Sequence, residues 1–214
     1  MKLSVWELYQ KMFNHMGAVG NWPGENKTEI LIGAILVQNT NWTNVDYALD
    51  NLRPLTHFDP QKLMAIDNQQ LQELIRPAGF YRNKSKAIQT ILQWLAPFEF
   101  NYDQVAAHYG DDLRTELLAL RGIGNETADV LLTFVFDMPR MIADNYARRL
   151  FSHLGVPDLH RYQDLARVCH LDHHFTAKEA QQFHGLILEF SKKYLRRNNE
   201  HFAESFLAGD TVQL

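Results

Sequence analysis

No stretch of these 214 residues sustains a strict apolar–polar alternation over a strand's length, which leaves little room for a sheet. Helix punctuation, by contrast, recurs along the whole chain. Ser4 with Glu7 three residues on forms a capping box ahead of an apolar segment carrying Trp6, Leu8, Tyr9, Met12, Phe13 and Met16, and Gly17 stops it. Asn26 or Thr28 opens a second helix, apolar all round from Ile30 to Val37 and therefore expected to be buried; Asn39, Thr40 and Asn41 end it. A third is expected from Thr43 to Leu52, stopping before Pro54. Asp59-Pro60 and Asp67 cap two short helices, and Asn83 or Ser85 opens one that Pro97 closes. Further helices are expected from about Val105, from Asp111 to Leu120, from Asn125 to Phe136, and from Asp144 to Leu154 before Gly155. The last long one starts at Thr176, with Glu179 as its box partner, and runs to about Arg197. The fold class is all-α. With Met138-Pro139 between helical stretches, the expected organisation is a central bundle over residues 23–137 and a second lobe made of residues 1–22 and 138–214.

Hydrophobic residues make up 46% and charged residues 21%, enough apolar material for a core and far from the composition of a disordered chain. The apolar runs fall well short of the roughly 20 residues a membrane-spanning helix needs. The N-terminus lacks the long apolar stretch of a secretory signal, so an intracellular, cytoplasmic protein is expected. Cys169 is the one cysteine. It can form no internal disulfide and cannot by itself hold a structural zinc or an iron–sulfur cluster. A net charge of -4 argues against a protein that coats nucleic acid by bulk electrostatics, but a local basic face can hide in such a total. Arg76, Arg82, Lys84 and Lys86 follow one another with no acid between them, and Lys192, Lys193, Arg196 and Arg197 form a second group.

The most informative segment is Leu120-Arg121-Gly122-Ile123-Gly124-Asn125-Glu126-Thr127-Ala128-Asp129, between an amphipathic helix and an apolar one. Two glycines two apart permit a tight turn, and the helix that follows starts with free N–H groups. Such a turn can hold a phosphate, directly or through a bridging cation at Gly122 and Gly124; an ordinary inter-helix turn has the same residues. Asp144 follows Gly124 by twenty positions, and on spacing alone it is equally a helix cap and a functional carboxylate. His170-Leu171-Asp172-His173-His174 lacks cysteine partners or a second spaced cluster and reads as a polar loop, so no side-chain metal site is expected.

Taken together, the Gly122-Ile123-Gly124 segment with Glu126-Thr127-Ala128-Asp129, then Asp144-Asn145-Tyr146, Leu36-Val37-Gln38-Asn39-Thr40, and Gly79-Phe80-Tyr81-Arg82-Asn83-Lys84-Ser85-Lys86-Ala87, resemble the helix-hairpin-helix (HhH-GPD) DNA glycosylases, the superfamily that includes endonuclease III. Within it the chain is most similar to the 3-methyladenine DNA glycosylase III branch, through Trp22-Pro23, Gln38-Asn39-Thr40, Ile75 to Tyr81, the hairpin, His184-Gly185 and Glu189-Phe190-Ser191-Lys192. The resemblance implies a two-lobed fold with a DNA-binding cleft between the lobes and a monomer acting on double-stranded DNA with a damaged base, with no membrane partner. It implies no cofactor beyond an optional monovalent cation at the hairpin.

By the same resemblance Asp144 is the catalytic carboxylate. Trp22, Pro23, Trp42 and Lys192 belong to the base pocket, with core packing and a surface charge as the plainer readings of the tryptophans and the lysine. Gln38 and Phe80 fill the gap left by a flipped base, Gly122, Ile123 and Gly124 hold the backbone, and Arg82, Lys84 and Lys86 meet flanking phosphates. Two departures from endonuclease III carry chemical content. The position of its Schiff-base lysine is Glu126, so removal of bases without strand cleavage is expected, and its cluster cysteines are missing. A departure from the methyladenine branch is Leu186, where that branch has a lysine. The expected activity is excision of alkylated bases by base flipping in base excision repair. The alternatives are a different lesion on the same fold, or a damaged-DNA-binding protein without catalysis.

Overall fold

The computed structural model describes residues 1–20, 24–196 and 199–214. They divide into two compact units, Met1–Trp22 with Asp137–Leu214, and Pro23–Phe136. The discontinuous unit begins with a short strand, β1 (Lys2–Leu3), and α1 (Val5–Met16), whose capping box is closed reciprocally by Ser4 and Glu7.

The continuous unit follows as α2 (Lys27–Leu36), α3 (Trp42–Thr56), α4 (Pro60–Ala65), α5 (Asn68–Leu74), α6 (Tyr81–Leu95), α7 (Tyr102–Tyr109), α8 (Leu113–Ala119) and α9 (Asn125–Phe134), with short 3-10 turns at Arg76–Ala78, Ala96–Phe98 and Gly110–Asp112. The all-round apolar α2 is central: Leu31, Ile32, Ile35 and Leu36 have no exposed surface, and the helix packs on α3, α6 and α9. Its one buried acid, Glu29, is neutralised by Arg53 of α3 at 2.6 Å.

Several boundaries differ from expectation by a few residues, and two of them in the continuous unit have a clear physical reason. α3 carries Pro54 inside its last turn and runs on to Thr56. A proline there costs one intrahelical bond close to the end, and Thr56, its hydroxyl donating to the Leu52 carbonyl at 2.9 Å, holds the final half-turn before left-handed His57. α6 begins at Tyr81 rather than at Asn83 or Ser85, because its cap residue is Phe80, a left-handed residue that supplies no side-chain bond and so leaves no cap signature.

The discontinuous unit resumes with α10 (Asn145–His153), α11 (Tyr162–Ala166), α12 (Ala177–Tyr194), β2 (Leu195–Arg196), β3 (Asn199–Glu200) and β4 (Thr211–Val212). Leu8 and Met12 of α1, Ala147, Leu150 and Phe151 of α10, and Phe183, Leu186 and Phe190 of α12 share one core cluster. The architecture is all-α, with two minimal ladders that the sequence does not announce: β1 pairs in parallel with β4, and β2 with β3. The turn into β2 ends α12 at Tyr194, short of the expected Arg197, which lies outside the described residues. Among the described residues no helix is long and apolar enough to cross a membrane.

Candidate functional site

The hairpin joins α8 to α9 in the continuous unit. Gly122 sits at φ +90°, and a Cβ placed on it would lie 2.6 Å from that of Ala87, so the turn rests directly on α6. Ile123 points inward and is buried, while Gly122 and Gly124 are exposed. Gly124 is the N-cap of α9 and offers no side chain, which leaves the first N–H groups of that helix uncapped by it. Arg114 of α8 clamps the start of α9: its Nε and Nη2 donate to the two carboxylate oxygens of Asp129 at 2.7 and 3.0 Å, and Nη2 also reaches Asn125 Oδ1 at 3.1 Å. Sequence reasoning missed Arg114. An aspartate inside an apolar helix signals that some cation must meet it, without saying which.

Gln38 lies on the loop after α2, half-buried, and its Nε2 donates to the Gly122 carbonyl at 3.1 Å and to Thr127 Oγ1 at 2.9 Å. The loop amide is therefore fastened to the hairpin. Phe80 is 65% exposed and left-handed at φ +46°, an unusual setting for an aromatic side chain. Arg82 and Lys86, just beyond it, are exposed. Lys84 is not, and the expectation that it meets phosphates is corrected. It is 3% exposed, and its Nζ donates to the carbonyls of Leu36 and Ala78, each at 2.8 Å; burial pushes its ammonium down to about 8. Helical spacing explains this, since Lys84 shares the inward face of α6 with Ile88 and Ile91 whereas Arg82 and Lys86 face out. Trp42 is the first residue of α3 and half-buried, while Trp22 and Pro23 lie outside the described residues.

In the discontinuous unit Asp144 is the N-cap of α10, 8% exposed, with Oδ1 accepting the Ala147 N–H at 2.7 Å. Burial pushes its carboxyl up to about 6, outweighing the backbone bonds from Ala147 and Tyr146 and the charge of Arg148, which all act the other way. On α12, Leu186 is fully buried in the core, so the position offers no polar atom to a ligand. Burial holds His184 neutral, its imidazole pushed down to about 4. Lys192 is exposed on the last turn of that helix and pairs with Glu189 at 2.7 Å, the position a helix C-terminus favours for a cation. Gly185 lets the segment at Val19 lie against α12, where a Cβ would come within 2.6 Å of a Val19 methyl; Gln182 holds the Val19 N–H and C=O at 3.1 and 3.0 Å.

Asp172, His173 and His174 bring three ligand atoms within 4.8 Å of one another, all on exposed residues. Asp172 Oδ1 already accepts the backbone N–H of His174 at 2.9 Å and lies 3.0 Å from its ring Nδ1, so part of this set is engaged within the loop itself. A cation at the hairpin would share carbonyls in use, since Gly122 O accepts from Gln38 and Gly124 O from Ala128. An iron–sulfur cluster does not fit: the single thiol, Cys169, is buried and its burial pushes it up to about 12, away from the thiolate that iron requires.

Comparison with known proteins matches residues 32–170 to the model of the HhH-GPD superfamily base excision DNA repair protein. Over 196 residues the chain is 33% identical to a Methanocaldococcus jannaschii protein named "Putative DNA repair glycosylase", covering 90% of this chain and 89% of that one. Its structure is similar to that of the H. pylori 3-methyladenine DNA glycosylase bound to 1,N6-ethenoadenine, with a TM-score of 0.72 and 28% identity over 91% of this chain and 100% of that one. Endonuclease III in a non-covalent complex with DNA gives a TM-score of 0.73 at 21% identity, over 95% of this chain and 91% of that one, a likeness of fold.

Proposed function

The chain belongs to the HhH-GPD superfamily of base excision DNA repair proteins, and from that premise we propose that it is a monofunctional DNA glycosylase for alkylated bases of the 3-methyladenine kind. Acting as a monomer, it turns the damaged nucleotide out of a duplex and hydrolyses the bond between base and sugar. Asp144 carries the reading, as a buried carboxylate that caps α10 through Oδ1 and ionises near neutrality. Rupture of an N-glycosidic bond builds positive charge on the sugar, and a fixed carboxylate beside the anomeric carbon stabilises that charge and orients or deprotonates a water. A purine alkylated at a ring nitrogen such as N3 is cationic and leaves readily, so one carboxylate beside the sugar suffices. In this proposal Trp22, Pro23, Trp42 and Lys192 serve the base, and the electron-rich indoles favour a cationic base over its neutral parent.

Around the flipped nucleotide Phe80 enters the vacated stack, joined by Gln38 once its amide exchanges its bonds to Gly122 and Thr127 for the DNA, and Gly122, Ile123 and Gly124 approach a phosphate with the N–H groups that open α9, with or without a shared cation. Arg82 and Lys86 meet flanking phosphates. Glu126, exposed at the start of α9, has no amine to form an imine with the sugar, which supports base removal without strand cleavage.

The test is release of free base from an alkylated duplex under single-turnover conditions. Asp144→Asn should abolish it, and the wild-type rate should fall as pH drops through about 6, because protonation removes the active carboxylate. Borohydride should trap no adduct. Undiminished release by Asp144→Asn would reject the role, and tight damaged-duplex binding with no release at enzyme excess would make the protein a binding module. The buried Leu186 favours one variation on this reading, a lesion range different from the methyladenine branch, which release from a panel of defined lesion duplexes would separate.

A further inference from the structure

Lys84 has no part in the chemistry above, yet a lysine ammonium is rarely buried without a task. Its two acceptors come from different parts of the continuous unit. Leu36 is the last residue of α2, and Ala78 is the last residue of the 3-10 turn before α6. Each carbonyl lies two positions before an unusual side chain. Two residues after Ala78 is Phe80, left-handed, 65% exposed, with the Lys84 Nζ 6.0 Å from its ring centroid. Two residues after Leu36 is Gln38, whose amide is bonded to the hairpin at Gly122 and Thr127. The hairpin in turn rests on Ala87, one turn along α6 from Lys84. A short chain of polar contacts thus runs from the Phe80 turn through Lys84 to the Gln38 loop and on to the hairpin.

We propose that Lys84 is a positioning residue, which locks the Phe80 turn and the Gln38 loop to each other and so fixes the register of the two loops before DNA arrives. Three protons on one nitrogen suit it to joining two carbonyls that no backbone ladder connects. A left-handed phenylalanine exposed to water is held in place by its surroundings rather than by its own preference, and the depressed ionisation of Lys84 reflects how fully that brace is removed from solvent. The inference rests on the proposed insertion of Phe80 and Gln38 into DNA, and its test does not depend on base release.

The probe is a duplex carrying a tetrahydrofuran abasic-site analogue with 2-aminopurine beside it, whose fluorescence rises when the stack is opened. Lys84→Met keeps the hydrocarbon stem and removes the ammonium. Far-UV circular dichroism and thermal unfolding check its fold, and Lys84→Gln replaces it if it does not fold. The expected result is a fluorescence rise about tenfold smaller than wild type, with affinity for undamaged duplex changed less than about threefold. Combined with Phe80→Ala, the loss should be clearly less than the product of the two single losses, because Lys84 acts through the Phe80 turn. A wild-type fluorescence rise in the Lys84 variant, or losses that simply multiply, would overturn the proposal. Failure of the glycosylase reading would instead appear as absence of base release with this fluorescence pattern intact.

Discussion

Asp144 illustrates how a single side chain can serve a helix and oppose it. As the cap of α10 it satisfies the Ala147 N–H, a bond that asparagine also makes. As a buried anion it is costly, and its ionisation moves from the ordinary 3.8 to about 6. The folded state therefore holds the proton more tightly than the unfolded chain does. The stabilisation this brings is complete below the unfolded value and is lost as pH rises through about 6. Asp144→Asn should accordingly be more stable than wild type near pH 7.5 by about 3 kcal/mol at most, with the difference vanishing below about pH 4. Urea unfolding at both pH values measures this, and equal midpoints at pH 7.5 would contradict it. The cap was legible in the sequence because it is a local bond, from side chain to backbone three residues on. The burial of Lys84 was not, since one of its acceptors is supplied from 48 residues away and basic residues on either side face solvent.

Among elements, the two hairpin glycines look alike in sequence and differ in the fold. Gly122 is left-handed and touches α6, whereas Gly124 has φ -96° and open space where a Cβ would stand. Gly122→Ala is expected to cost about 1–3 kcal/mol and to weaken duplex binding, through both the strained backbone and the clash with Ala87. Gly124→Ala should be close to neutral in thermal unfolding; equal melting losses in the two variants would refute the distinction. Helix existence was readable from caps such as Asn26, Asp59, Asp67 and the Thr176–Glu179 box. Pro54 and Phe80 defeated the boundary rules, one because a helix end tolerates a lost bond, the other because tertiary contacts override a missing cap.

At the scale of the molecule, the chain passes through one unit, completes another, and returns. The continuous unit has its own core around α2 and carries the hairpin, Gln38 and Phe80, while Asp144 belongs to the other unit. A fragment of residues 23–136 is expected to unfold cooperatively and to bind undamaged duplex in a salt-dependent way while releasing no base. A fragment without a melting transition or duplex affinity would show that the unit depends on the rest of the chain. The strands β1 and β4 were invisible in the sequence because each has two residues and their partners are 209 positions apart, as with Lys2 and Thr211. Asp210, next to β4, is held by Lys11 of α1 at 2.5 Å, which fastens the same closure. During translation this closure waits for Thr211, so the half proposed to grip nucleic acid emerges whole while the half with the acid is still open. On the proposed reading, a ribosome that stalled before Thr211 would leave a polypeptide with its gripping half complete and its excising half unclosed.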